Sequence, residues 1–254
     1  ERTYIHRLAD AIPEEGLACL DSDTIVCPAS WDAALGAAGA VCQAVDDIAA
    51  GVCTRAFCAV RPPGHHAEPD RAMGFCLFNN IFIGARHAQE RHGIRRIAIV
   101  DFDVHHGNGT DAMTRKAEDI LYISSHQAPF YPGTGDPQYD VPGKILNIPL
   151  PAGSGSAVFR AAYERQVFPA IDAFKPGLLM ISAGFDAHRD DPLAALALTD
   201  EDYGWVTAEL CARADTHCNG KVISVLEGGY NLQALQSAVA SHLTALCPSL
   251  RGIK

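Results

Sequence analysis

Residues 97–110 read IAIVDFDVHHGNGT. The first four are apolar and mostly β-branched, the pattern of a parallel strand covered on both faces. Where that run ends, Asp101, Asp103 and His105 follow at alternate positions. A strand over Ile97–Asp103 that continued through them would send all three side chains to one side. Similar runs recur at Ala56–Val60, Ile120–Ser124, Ile145–Leu150, Leu178–Ala183 and Lys221–Leu226. Helix-length segments lie between them at Trp31–Ala50, Asn79–His92, Ala157–Phe174, Asp200–Cys218 and Asn231–Leu246. Ser30 and Thr199 are the expected N-caps, and Val41, Val45 and Ile48 share a face that reads as core. The alternation predicts a single-domain, three-layer α/β fold over residues 1–254, with a mostly parallel central sheet and helices on both faces.

Composition narrows the function classes. The chain has 254 residues, 48% hydrophobic and 20% charged, which excludes a disordered or fibrous protein. Its net charge of −10 argues against nucleic acid as a partner, because a phosphate backbone calls for a basic face. The nine cysteines are odd in number and form no C-x-x-C pair, so they read as buried thiols in a reducing, cytoplasmic setting. No apolar run reaches the roughly 20 residues of a membrane helix, so no membrane partner is expected. The sequence begins at Glu1 without a methionine, so an N-terminal part is expected to be absent, and a targeting signal there stays open.

In parallel sheets function gathers at the carboxyl ends of the strands. Four of these strand ends are followed by RPPGHHAEP (61–69), DFDVHHGNGT (101–110), GFDAHRDDP (184–192) and EGGYN (227–231). Asp103 and His105 can grip one ion from a single segment, with Asp186 the best-placed third ligand. Two carboxylates and an imidazole with an open position suit Zn²⁺, or a similar divalent ion, acting on a bound water. A lone D-x-H is usually a loop hydrogen-bond pair, and the density of titratable groups here reverses that reading. Two carboxylates cancel the ion's charge, so its water needs a separate base. His65 and His66, on the Pro62-Pro63-Gly64 turn, can supply it, although adjacent histidines are ordinarily solvated. Asp101 and Asn108 are candidate partners for the two rings: a carboxylate raises the basicity of one, and a neutral amide leaves the other nearer neutral. Tyr230, after Gly228 and Gly229, could donate to an oxyanion opposite the metal. Standing alone, it would read as a packed aromatic at a helix start.

The segments RPPGHHAEPDRAMGFCLFNN, IVDFDVHHGNGT, SSHQAPFYPGTGD, SAGFDAHRDDPL and LEGGYN occur in this order between about residues 58 and 232. Together they resemble the motifs of the histone deacetylase family of zinc amidohydrolases. Asn108, where other branches have Asp, is similar to class II-type and bacterial members. The resemblance implies an arginase-like parallel α/β fold and Zn²⁺ bound by Asp103, His105 and Asp186, with Fe²⁺ the other candidate metal. It implies that His66 is general base and then acid, that His65 assists electrostatically, and that Tyr230 polarises an acyl-amide carbonyl. Phe75 (in Gly74-Phe75-Cys76) and Tyr131 (before PGTG) match two aromatic walls of an acyl-lysine tunnel, with Gly74, Leu193 and Gly229 beside them. The second wall is usually Phe, so Tyr131 adds a polar group at the rim. A structural K⁺ is also implied, held through Asp101, Asp103, His105, Ser124 and Ser125. Leu193 stands where polyamine-selective relatives carry an acid, which favours acetyl-lysine. The family's first strand and an early Gly-His-Pro-rich loop would precede Tyr4. Its members form monomers, dimers and tetramers, so a homo-oligomer is among the expected assemblies.

The expected substrate is thus the N-acetyl or short-acyl lysine of a protein or peptide, with acetylpolyamines or other small acetylated amines as the alternative. A binuclear manganese ureohydrolase is a rival, because Asp186, His188 and Asp190 spell D-A-H-x-D, but the Pro-Gly-His-His turn and Gly-Gly-Tyr have no role in it. A catalytically idle acyl-ligand module would have lost Tyr230 or a metal ligand. GNGTDA (107–112) imitates a dinucleotide fingerprint, yet DVHH intervenes between strand and glycine and no ribose-binding acid follows the next strand. Gly153, Ser154 and Gly155 form no G-x-S-x-G elbow. Arg189, Asp190 and Asp191 read as a solvated charged turn.

Overall fold

Apolar residues alternate between two faces along the strands, and that alternation sets the layers. The computed structural model describes residues 2–247; residue 1 and residues 248–254 of the expected domain lie outside it. Helix α1 (Arg2–Ala11) and a short antiparallel hairpin, β1 (Ala18–Cys19) with β2 (Ile25–Val26), come first. There follow α2 (Ser30–Ala49), β3 (Arg55–Cys58), α3 (Asn80–His92), β4 (Ile97–Asp101), α4 (Asn108–Lys116), β5 (Ile120–Gln127) and β6 (Ile145–Leu150). The chain continues through α5 (Ser156–Ala162), α6 (Phe168–Phe174), β7 (Leu178–Ala183), α7 (Asp200–Cys218), β8 (Val222–Leu226) and α8 (Leu232–Leu246).

The six longer strands form one parallel sheet in the order β3-β8-β7-β4-β5-β6. On one face Ala98, Val100, Leu121, Ile123, Leu179 and Ile181 pack with Phe159, Ile171, Val206, Leu210 and Ala238 from α5 to α8. On the other, Ile97, Ile99, Tyr122, Leu178, Met180 and Ile223 pack with Val41, Val45 and Ile48 of α2 and Ile81 and Ala85 of α3. Burying both faces requires apolar residues at every strand position, which is why these runs show little polar alternation. From β4 the chain steps outward to β5 and β6, then returns to β7 on the other side of β4 and goes on to β8. The pair β4/β7 is therefore the topological switch point, where loops from neighbouring strands diverge and leave a crevice.

Several local expectations are corrected. Ser30 lies inside α2, whose cap is Ala29, and its hydroxyl accepts from the Cys27 N–H instead. Asn79 is outside α3 as its N-cap, accepting from the Phe82 N–H. The expected helix over Ala157–Phe174 is interrupted by a π turn at Tyr163–Val167. Pairing in β4 ends at Asp101, and β5 runs on to Gln127. Helices α1 and α4 and the β1/β2 hairpin add to the expected elements: the hairpin strands are two residues each, and α4 starts at Asn108 within GNGT, which has loop composition. Thr199 does cap α7, with its N–H donating to Asp202 Oδ2. No helix among the described residues is long and apolar enough to cross a membrane. Of the nine cysteines expected to be buried thiols, Cys58, Cys76, Cys211 and Cys218 are; Cys19 is exposed, and Cys27, Cys42, Cys53 and Cys247 are partly exposed.

Candidate metal centre and active site

The four strands whose ends carry His, Asp, Gly and Tyr are neighbours in the sheet, β3-β8-β7-β4, so their loops meet over the switch point. Asp103 and His105 follow β4 and Asp186 follows β7. Their ligand atoms converge within 4.8 Å. His105 Nδ1 lies 2.9 Å from Asp103 Oδ1 and 3.2 Å from Asp186 Oδ2. The outward oxygens are fixed by backbone: Asp103 Oδ2 accepts from Gly228 N–H (2.9 Å) and Asp186 Oδ1 from Val104 N–H (2.9 Å). Gly228 must be glycine for this approach, because a Cβ there would collide with Asp186 Oδ2 and Asp103 Oδ2.

These donors fit a divalent cation. Both carboxylates are fully buried, and Asp186 Oδ2 accepts no hydrogen bond, an orphaned anionic oxygen aimed at the convergence point. Burial and the charge on Asp103 push the Asp186 carboxyl up to about 6. Asp103, against its own burial, is held well below the usual carboxylate range by His65 and His105. Burial opposes charge on His105, yet the two carboxylates lift it to about 10. Such a cluster binds a proton only for want of another positive charge, and a metal ion would exchange for that proton. His188 and Asp190 do not join the cluster. His188 stacks on Tyr203 and accepts the Asp190 N–H, so among the described residues no second group of ligands gathers beside the first, as the ureohydrolase reading would need.

The two histidines of the β3 loop lie side by side, ring centroids 4.1 Å apart. His65 Nδ1 is 3.0 Å from Asp101 Oδ2, which also accepts from Tyr122 OH. Burial disfavours charge on His65, but Asp101, Asp103 and Glu227 outweigh it and hold its pKa well above the ordinary value. His66 Nδ1 lies 2.8 Å from Asn108 Oδ1. Asn108 Nδ2 donates to Glu68 Oε1 (2.6 Å), so its Oδ1 must face the ring. His66 therefore carries its proton on Nδ1 and leaves Nε2 bare. Burial and the neighbouring His65 keep the His66 pKa well below the ordinary value.

A narrow cavity of about 110 Å³ leads to this cluster, lined by His65, His66, His105, Gly74, Phe75, Tyr131, Leu193 and Tyr230. Phe75 and Tyr230 face each other edge-on at 6.0 Å, and Tyr131 stands 5.2 Å from His66. Burial, with Asp186 and Asp103 nearby, pushes the Tyr230 phenol up, so it stays protonated. Gly228 is on the cavity lining, and a Cβ on its neighbour Gly229 would meet Leu235 and Phe185. Asp101 pairs in register with Ser124, and the hydroxyls of Ser124 and Ser125 are engaged with His126 and Tyr163.

Other residues hold this arrangement in roles that the motif reading did not assign. Asp191, expected in a solvated turn, is only 7% exposed and accepts from Tyr230 N–H (2.7 Å) and Leu193 N–H (3.0 Å). Glu227, pushed up to about 7 by burial, accepts from Gly64 N–H and His65 N–H and so ties the histidine loop to β8. Asp23 Oδ1 accepts from Gly74 N–H, and Thr24 Oγ1 from Phe75 N–H, so the β1/β2 hairpin supports one cavity wall. Gly107 packs against Tyr122 OH and Asp101 with no room for a Cβ, so GNGT serves close packing behind His65 rather than a phosphate.

Residues 1–246 match the family description "Histone deacetylase domain". The chain is 46% identical to Type-2 histone deacetylase 2 of Dictyostelium discoideum over 88% of its own length and 14% of that protein. It is 41% identical to Histone deacetylase 14, chloroplastic, of Arabidopsis thaliana (97% and 62%). It is 40% identical to the histone deacetylase-like amidohydrolase of Pseudomonas aeruginosa (90% and 61%). It thus spans less than two thirds of each of these relatives. The crystal structure of the HDA15 HD domain superposes with a TM-score of 0.90 at 36% identity, over 97% of this chain and 70% of that one. By sequence and by fold, the chain belongs to the histone deacetylase family.

Proposed function

We propose that this chain is a zinc-dependent deacetylase that hydrolyses the amide of an N-acetyl or short-acyl lysine to the carboxylic acid and free amine. The observation that carries the reading is a three-donor cation site with an orphaned carboxylate oxygen, at the foot of a narrow cavity shared with an imidazole and a phenol. Zinc held by Asp103, His105 and Asp186 would supply Lewis acidity toward the amide carbonyl and acidify a water.

The chain's own residues do the rest. His66, with its proton parked on Nδ1 by Asn108, offers Nε2 to take a proton from the attacking water. As the new C–O bond forms, the carbonyl oxygen gains charge and Tyr230 OH donates a hydrogen bond to it. His65, held charged by Asp101, adds a fixed positive field beside that oxygen. When the C–N bond breaks, His66 returns the proton to the departing amine. Phe75 and Tyr131 flank the cavity and would pack against the alkyl stem of an acylated lysine. A structural K⁺ held by carbonyls of Asp101, Asp103, His105, Ser124 and Ser125 is part of the same reading.

A second substrate class has one observation in its favour: Asp23 places a carboxylate at the cavity lining, where a cationic polyamine would find a partner. Leu193 on the same lining favours acetyl-lysine. Turnover of acetyl-lysine peptides against acetylated polyamines, by zinc-loaded protein, separates them. We expect kcat/KM at least tenfold higher for the peptides; the reverse order would assign the small amines.

A further inference from the structure

Away from this site, Asp46 on α2 meets His87 and His92 on α3. Nε2 of each imidazole lies 2.6 Å from the same atom, Asp46 Oδ1. The rings stand 5.6 Å apart at 67°, so they approach the carboxylate from different directions. Among the described residues only two groups of three or more His, Cys, Asp or Glu side chains bring their ligand atoms within 4.8 Å of one another. One is Asp103, His105 and Asp186; this is the other. Its side chains are open to an entering ion, with Asp46 44%, His87 22% and His92 27% exposed.

We propose that Asp46, His87 and His92 form a second, surface metal site that takes a borderline divalent ion of the zinc class. Two imidazole nitrogens and one carboxylate oxygen are the donors such ions favour, whereas Mg²⁺ and Ca²⁺ call for oxygen alone. Bonds of about 2.0–2.1 Å to a tetrahedral ion set ligand atoms roughly 3.3 Å apart. The present 2.6 Å separations reach that spacing by small rotations of exposed side chains. As hydrogen bonds alone, two partly exposed pairs on one oxygen would stabilise the fold by under about 1 kcal/mol each, a weak reason for three side chains to converge. The fourth position faces solvent and would hold water.

The ion would act as a clip between α2 and α3. His92 is the last residue of α3 and His87 lies five residues earlier, while the other end of the helix, roughly 20 Å away, is capped by Asn79. Asn79 Nδ2 donates to Thr110 Oγ1 on α4 and to the His65 and Ala67 carbonyls of the histidine loop. A clip at the far end therefore stabilises a helix on which the histidine loop rests without touching the reacting atoms.

Zinc titration of chelator-stripped protein by calorimetry, with bound metal counted by mass spectrometry, tests this at pH 7.5. Wild type should take two equivalents, and the second should raise the thermal midpoint. The double variant His87→Ala/His92→Ala should take one, keep its turnover, and show no response to further zinc. Asp46→Asn keeps a hydrogen-bond acceptor and serves as the milder variant if the double variant folds poorly; it should weaken the second equivalent at least tenfold. One equivalent in wild type that the double variant keeps, or a second that survives these changes, would overturn the site; one equivalent that the double variant loses would count against the Asp103, His105 and Asp186 site instead.

Discussion

Replacing Tyr230 by Phe removes one oxygen from the cavity wall and little else. The ring's edge-on contact with Phe75 survives, and no described residue hydrogen-bonds to the hydroxyl, so no buried partner is stranded. The stability change should stay within about 0.5 kcal/mol, a midpoint shift under about 2 °C for a chain of this size. Catalysis is different. The phenol is a neutral donor on the cavity lining shared with His66 and His105, and burial and the two carboxylates keep it protonated. Losing one preorganised oxyanion donor costs about 10²–10³ in turnover, or roughly 2.7–4 kcal/mol of barrier. The assay is single-substrate kinetics on an acetyl-lysine peptide, run beside metal analysis and a thermal melt. Turnover within threefold of wild type, at full metal content, would refute the role of Tyr230. Joint loss of turnover and metal would show that the side chain acts through the fold.

Asn108→Asp places a carboxylate against His66 Nδ1 and should raise that ring's pKa. The base must be unprotonated to act, so the acidic limb of the pH–kcat/KM profile, which burial and His65 hold below the ordinary imidazole range in wild type, should move to higher pH; an unmoved limb would detach His66 from the titration. Gly228→Ala drives a methyl group into the Asp186 and Asp103 oxygens and should weaken zinc about 10–100-fold, measured by competition with a chelator. Asp191→Asn weakens the charge-assisted bonds to the Tyr230 and Leu193 amides and should lower kcat about tenfold or more, with zinc content and KM nearly unchanged.

The sheet could be read from sequence because each strand buried on both faces announces itself as an unbroken apolar run, and Ile97–Asp101 is the plainest example. The side chains that converge on the cation position were legible for a related reason: Asp103 and His105 follow a strand end directly, and Asp186 follows another. Asp191, Glu227 and Asp23 were not. Each works by accepting hydrogen bonds from backbone N–H groups 39, 163 and 51 residues away, respectively. A backbone donor has no letter in the sequence, so an acid that serves one looks like any charged loop residue. Asp191 shows the cost of that ambiguity, since Arg-Asp-Asp-Pro has the composition of a solvated turn and yet one of its carboxylates is buried. Helix α4 was hidden differently: its first turn is glycine-rich because the backbone must pass close behind Asp101 and His65, and packing overrides its poor helix propensity.

Anomalous diffraction at the zinc absorption edge, on crystals soaked in zinc, tests the central claim most directly. The account predicts a single peak among Asp103, His105 and Asp186, within about 2.0–2.2 Å of one atom from each. No density among those three side chains, or a pair of peaks roughly 3.5–4 Å apart that draws in His188 or Asp190, would contradict it.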